Sequence, residues 1–248
     1  MPERTKVGLN PNVSVDCVVF GFDLNGLKVL LIERDNPGNG TVKNYLLPGD
    51  LIRNDENLDE AASRVLKELT GLDRVYLEQF AAFGDPDRVK RENDLQWLRR
   101  VRKDPEARVI TVGYFSLIKP EHFRLAASSF ARKAEWVCID NVPELAFDHD
   151  NILTGGLEAL KKKMRNHPIG FELLPRKFSL GQLQLLYETV LGVEIDKRNF
   201  RRKVLKLGIL DALDEQQRGV AHKPAKLFRF NRNAYENLGS SAFGFQTY

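Results

Sequence analysis

Leu47-Pro-Gly-Asp-Leu-Ile-Arg-Asn-Asp-Glu-Asn-Leu-Asp-Glu-Ala-Ala-Ser-Arg-Val-Leu-Lys-Glu-Leu-Thr-Gly-Leu72 is a glycine-bearing loop that runs into a helix. Over residues 58–70, Leu58, Ala61, Ala62, Val65, Leu66 and Leu69 recur at helical spacing and can share one broad apolar face. Gly71 supplies a stop, because glycine tolerates the left-handed conformation in which helices end. Arg64 and Glu68 stand one turn apart, so an ion pair along the helix surface is expected.

Working outward, Val13-Ser-Val-Asp-Cys-Val-Val-Phe20 and Leu27-Lys-Val-Leu-Leu-Ile32 are β-branched and apolar, and Asn25-Gly26 between them is a hairpin signal. Further strands are expected over 75–83, 109–118 and 135–139. Strands, one strong helix and more strands make an α+β domain built on a mixed sheet. Between Gly84 and Ala107 lies a polar segment in which Leu95, Leu98 and Val101 follow helical spacing, with Trp97 beside them. It reads as a short surface helix inserted in a loop, the kind of place where ligand sites lie. Residues 148–166 read as an exposed helix ending in Lys161-Lys-Lys163, a cation cluster that suits a helix C-terminus. His167-Pro168-Ile-Gly170 breaks it. The expected organisation is a first domain over 1–147, a linker helix over 148–167 and a second domain over 168–248.

A chain of 248 residues can bury one large core or two small ones. No apolar run approaches the roughly 20 residues of a membrane span, and Met-Pro-Glu-Arg-Thr-Lys does not read as a signal peptide. Cys17 and Cys138 lie in apolar runs and read as buried free thiols rather than a disulfide or metal pair. A cytoplasmic protein with no membrane partner is the default expectation. The net charge is only +4, but from Pro168 onward 13 Lys/Arg face 8 Asp/Glu, which hints at a polyanionic partner.

The C-terminal part carries the chemistry for such a partner. Ser179 can cap a helix whose apolar stripe is Leu183, Leu186, Tyr187 and Val190, and Gly192 closes it. After a tight turn, Asp196 can cap a second helix, in which Phe200, Val204 and Leu207 face inward. Lys197, Arg198, Asn199, Arg201, Arg202 and Lys203 remain for the outside. Two helices joined by a turn, the second basic, have the form of a helix-turn-helix. Arginine can reach guanine bidentately, asparagine can pair with adenine, and lysine can meet phosphate. Two strand-like runs around the loop that holds Gly219 then read as a wing, with Arg218, His222, Lys223 and Lys226 against the phosphate backbone.

Taken together, the two halves resemble the Nudix-related transcriptional regulators, in which a Nudix domain precedes a winged helix. The resemblance covers nearly the whole chain. It is most specific at Leu-Leu-Pro-Arg-Lys-Phe-Ser near Pro175 and at Asp-Lys-Arg-Asn-Phe-Arg-Arg-Lys near Phe200. It implies a Nudix-like mixed-sheet α/β/α sandwich followed by a small winged helix-turn-helix domain. Within the family, the insertion around Trp97 and the poor Nudix box look like the sugar-responsive arabinose branch.

Against hydrolytic family members, Asp50 replaces a loop glycine, while Glu56, Arg64, Glu68, Gly71 and Leu72 match the motif. Two positions of metal-binding glutamates are Val65 and Leu69 here. Magnesium wants several hard oxygen ligands, and diphosphate hydrolysis needs it to neutralise developing charge. The expectation is therefore a regulator rather than an enzyme, with no catalytic residues, resident metal or cofactor. Its partners would be double-stranded operator DNA, a small sugar or sugar-derived effector, and a second copy in a homodimer. Asp50 could accept hydrogen bonds from sugar hydroxyls, and Lys43, Asp85 and Arg88 are further candidate contacts by position, although ordinary surface charge explains these three equally well. Two alternatives stand beside the pentose reading: a regulator of NAD metabolism that senses ADP-ribose, and an active diphosphate hydrolase.

Overall fold

The computed structural model describes residues 8–23, 26–34, 45–120, 126, 130–219 and 223–238. Compactness divides the chain into two units, the first ending at Gly156 and the second starting at Leu157, with 21–27 and 118–120 grouped with the second.

The first unit is built on a seven-stranded sheet. Its strands are β1 (Leu9–Asp23), β2 (Gly26–Arg34), β3 (Tyr45–Leu46), β4 (Gly49–Arg53), β5 (Glu78–Phe83), β6 (Ile110–Ile118) and β7 (Ala131–Cys138). The main path runs β3-β2-β1-β6-β5, with β4 paired to β1 and β7 to β2. Strand β4 lies in the stretch whose glycine predicts a loop. It pairs antiparallel with β1, setting Gly49 opposite Asp16 and Asp50 opposite Val15.

Helix α1 (Leu58–Thr70) has the bounds its pattern predicts. Asn57 and Glu60 form a capping box at its start, and Gly71 ends it at φ 78°. Helix α2 (Glu92–Val101) is the inserted one, and α3 (His149–Asn166) is the long one. Successive residues of a strand point to opposite faces. On β1, Cys17 donates to the Ala62 carbonyl of α1 at 3.8 Å, whereas Val18 packs where a Cβ on Gly156 of α3 would lie 3.0 Å away. Helices α1 and α3 therefore cover opposite faces of the sheet, and Asp16 shares the α3 side with Val18. The expectation of an exposed α3 needs correction, since Ile152, Leu160 and Met164 are fully buried. Cys17 is a buried free thiol, and Cys138, also free, is half-buried.

In the second unit, β8 (Phe178–Ser179), β9 (Leu210–Gln216) and β10 (Lys226–Phe230) form a sheet in the order β8-β10-β9. Helices α4 (Leu180–Leu191) and α5 (Lys197–Lys206) precede the β9–β10 hairpin, and α6 (Arg232–Leu238) follows it. Ser179 and Gln182 make the capping box of α4, and Gly192 closes it at φ 68°. The turn is held by Glu188, whose Oε1 accepts from Ile195 N–H at 3.0 Å, and Asp196 caps α5 through Asn199 N–H at 2.7 Å. The core is aromatic: Phe171 stacks on Phe230 at 4.3 Å, and Tyr187 meets Phe200 at 5.9 Å. This is a winged helix, with α5 in the recognition position.

Candidate ligand pocket and nucleic-acid interface

A cavity of about 410 Å³ opens in the first unit, of the size that holds a small molecule. Its polar floor centres on Asp16, whose Oδ2 accepts from the Thr111 hydroxyl at 2.6 Å. The Arg88 guanidinium lies 3.7 Å from the same carboxylate but is committed to Asp148, with bonds of 2.9 and 2.7 Å. His149, the first residue of α3, accepts the Leu47 N–H on Nδ1 at 2.9 Å and sets Nε2 3.4 Å from Asp16 Oδ1. An Nδ1 that accepts cannot carry the proton, so the neutral ring is protonated on Nε2. Burial lowers the pKa of this imidazole from its usual value, the Asp16 charge opposing the shift.

Aromatic groups make the opposite wall. Trp97 of α2 meets Phe130 at 5.4 Å and Phe147 at 6.2 Å, edge to face. The Arg34 guanidinium sits 4.9 Å from the Trp97 ring and pairs with Asp94 at 2.7 Å, both side chains being buried. Asp94 also accepts the Phe147 N–H at 2.8 Å, and Phe147 has a positive φ of 59°, rare for an aromatic residue. One carboxylate thus ties the insertion to the sheet and to the approach to α3.

The structure brings together two of the four ligand residues read from the sequence. Asp50 and Arg88 line the cavity. Asp85 needs correction: it is exposed, away from the cavity, and its Oδ1 accepts from Asp87 N–H at 2.7 Å in the turn that delivers Arg88. Lys43 lies outside the described residues. Sequence reasoning missed Asp16, Arg102 and His149. The available signals were a carboxylate inside an otherwise apolar strand and a histidine flanked by Asp148 and Asp150 at a helix start.

Asp50 carries its own consequence. Burial raises its pKa from the ordinary 3.8, while the Leu51 N–H at 2.7 Å, Arg64 and Arg102 draw it down and Glu68 pushes it up. A carboxylate with a raised folded pKa costs stability once pH passes the unfolded value, and the cost is complete above the folded one. Asp50→Asn, which preserves the acceptor to Leu51, is thus expected to raise the melting temperature at pH 7–8. The gain should shrink as the pH is lowered through the folded-state pKa and vanish below 3.8, where both states are protonated. Melting curves at several pH values check this, and a gain that grows with acid contradicts it.

The residues of the box do not fit a magnesium site. Val65 and Leu69 are buried in the face of α1. Arg64 holds Glu56 through bonds of 2.8 and 2.6 Å, Glu68 at 3.0 Å and the Leu51 carbonyl at 3.1 Å, and Arg53 takes the other Glu68 oxygen at 2.9 Å. Burial opposes ionisation of Glu56, but the Arg64 bonds and the Arg53 N–H outweigh it and hold its carboxyl below the usual range. Among the described residues no group of three or more His, Cys, Asp or Glu is placed to hold a metal ion. The remaining glutamates are engaged by arginine, so the hard, multidentate oxygen set that magnesium requires is not assembled.

In the second unit, Lys197, Arg198, Asn199, Arg202 and Lys203 are exposed on α5. Arg202 donates to Asn199 Oδ1 at 2.7 Å, one turn away. Arg201 departs from the expected outward placement: it is half-buried, with its Nε shielded from solvent. Leu207, expected inside, is also half-buried. Arg218, Lys223 and Lys226 are exposed around the hairpin, and His222 lies outside the described residues. The polar residues 214–216 belong to β9, where Asp211 pairs with Arg229 at 3.0 Å and Glu215 with Lys177 at 2.7 Å. No helix among the described residues is long and apolar enough to cross a membrane.

Comparison with known proteins agrees with both units. Residues 10–154 match the NUDIX domain, and residues 170–230 match the NrtR DNA-binding winged helix domain. The ADPR responsive transcriptional repressor NtrR of Acinetobacter baylyi is 32% identical over 231 residues, 92% of this chain and 85% of that protein. An ADP-ribose pyrophosphatase of Methanocaldococcus jannaschii is 31% identical over 153 residues, 61% of this chain and 76% of its own length. NrtR of Shewanella oneidensis in complex with a 27mer DNA has a similar fold, with 26% identity, a TM-score of 0.67, and coverage of 90% of this chain and 95% of that one. The arabinose branch finds no support here, whereas a relative that matches along both units is an ADPR-responsive repressor. The chain belongs to the Nudix-domain transcriptional regulators that carry the NrtR-type winged helix, a family of DNA-binding proteins with a Nudix sensor domain.

Proposed function

We propose that this chain is a transcriptional regulator whose operator affinity responds to ADP-ribose. The observation that carries the reading is the match along 92% of the chain to an ADPR-responsive repressor, spanning sensor and winged helix alike. The cavity is chemically suited to such a ligand: Trp97 and Phe147 offer faces for a base, and Arg88 and Arg102 bring positive charge to the same space. No turnover is proposed, since Val65 and Leu69 leave a diphosphate-cleaving metal without its ligands. On the DNA side, α5 supplies Arg198, Asn199 and Arg202 toward base edges, and Arg218, Lys223 and Lys226 meet phosphates. A two-fold homodimer is part of the proposal, because one recognition helix reads too few bases and a palindromic operator pairs with protein symmetry.

The test begins with a duplex selected by the protein from a random pool. Binding followed by fluorescence anisotropy is expected to change on adding ADP-ribose and not on adding L-arabinose. Arg198→Ala with Arg202→Ala is expected to weaken the complex by about 1–3 kcal/mol for each base-reading contact removed, with ADP-ribose affinity unchanged. DNA affinity unaltered by both substitutions would take α5 out of the interface. The relation to an ADP-ribose pyrophosphatase keeps one competing reading in play, which steady hydrolysis of ADP-ribose with magnesium would establish.

A further inference from the structure

A diphosphate ester is an anion, and the hydrolase route to neutralising it, a metal held by glutamates, is not available on a helix that presents Val65 and Leu69. The charge must be met from elsewhere in the cavity. Asp16 and Asp50 face it with the wrong sign. Arg88 is bound to Asp148 along one edge of its guanidinium, through Nε and Nη2, and the same Nη2 lies 3.7 Å from Asp16. Arg102 differs from it. It is the C-cap of α2, its N–H closing on the Leu98 carbonyl at 2.8 Å, and its side chain lines the cavity. Among the described residues its guanidinium makes no side-chain hydrogen bond or close ion pair, although Asp50 and Asp16 act on it electrostatically.

We infer that Arg102 is the ligand-binding cation that takes the diphosphate, supplying from the cavity wall the positive charge that a hydrolase takes from a metal; this rests on the ADP-ribose reading. A guanidinium offers two parallel N–H groups to phosphate oxygens, a geometry that lysine cannot copy. Its setting favours a cation, because the C-terminal end of a helix dipole is negative. Burial works against that charge by lowering the Arg102 pKa, with the two carboxylates opposing and Arg88 adding to the effect. An incoming diphosphate relieves this unfavourable setting. Trp97 and Val101 of the same helix line the same cavity, so the insertion contributes an aromatic wall and an anion receptor as one piece. Two consequences follow: the diphosphate is held without a divalent ion, and the insertion sets ligand class.

Calorimetry on the full-length protein tests this with ADP-ribose and adenosine, each in EDTA and in magnesium. The wild type is expected to bind ADP-ribose equally in both buffers. Arg102→Gln should lose roughly tenfold to hundredfold in ADP-ribose affinity and keep its affinity for adenosine, and Arg102→Lys should recover part of the loss. An unchanged melting temperature for Arg102→Gln separates a lost contact from a lost fold. Wild-type affinity in Arg102→Gln, or wild-type binding that requires magnesium, overturns the inference. Wild-type protein that binds no ADP-ribose in either buffer overturns the ADP-ribose reading, and the inference falls with it.

Discussion

Asp94→Ala is expected to destabilise the pocket-bearing unit by about 3–5 kcal/mol, the cost of removing one partner from a buried ion pair. Arg34 and Asp94 have side-chain exposures of 1% and 4%, with 2.7 Å between Nη2 and Oδ1. The substitution removes the carboxylate that balances a guanidinium held against Trp97 and Phe147, and the Phe147 N–H loses its acceptor as well. Asp94→Asn retains an acceptor for Phe147 and should fall between the two. The double variant Arg34→Met with Asp94→Leu should recover much of the loss, since an apolar pair of similar volume often equals a buried ion pair. Urea denaturation followed by the fluorescence of Trp97 and Trp136 reads all four proteins. A loss under about 1 kcal/mol for Asp94→Ala would mean that solvent reaches Arg34 and that the pair is not structural.

Gly49→Ala is the second large effect, and it acts on geometry rather than charge. A Cβ at this position would stand 1.8 Å from Asp16 Oδ1, 2.8 Å from its Cγ and 3.0 Å from the Val15 carbonyl. Asp16 has nowhere to retreat, because Thr111 holds it at 2.6 Å, with His149 at 3.4 Å and Arg88 at 3.7 Å around it. One methyl group therefore has to displace the cavity floor or part β4 from β1. Overpacking of this kind costs about 1–3 kcal/mol. Ligand affinity is expected to fall by more than the stability change alone explains, since Asp50 is the next residue. Calorimetry at a temperature where the variant remains folded separates the two, and near wild-type binding there would show that the floor can shift freely.

Helix α1 was legible to the residue because its signals are local: an Asn57–Glu60 box, an unbroken apolar stripe and Gly71. The α4–α5 pair was legible for the same reason, through Ser179, Gly192 and Asp196. Strand β4 was not, because Pro48-Gly49 reads as a turn and only pairing with β1 makes Gly49–Arg53 extended. The cavity floor was hidden too. Asp16, Thr111 and His149 are far apart in sequence, and whether a polar side chain is buried among partners depends on tertiary contacts. The pentose expectation, which weighed Asp50 as a sugar contact and the insertion around Trp97 as a mark of the arabinose branch, found no support; Arg102 was left out of it, a residue whose place in the cavity follows from where α2 ends.

His149 carries a last consequence. Free in solution, an imidazole gains a proton near pH 6.5, which makes histidine the usual acidity gauge of proteins. Here Nδ1 is taken by the Leu47 N–H, and burial disfavours the charged ring, so the neutral form persists as mild acidification begins. At this position mild acidification adds no charge to the cavity. The wall that His149 contributes keeps its hydrogen-bonding pattern, with Nδ1 accepting and Nε2 facing Asp16.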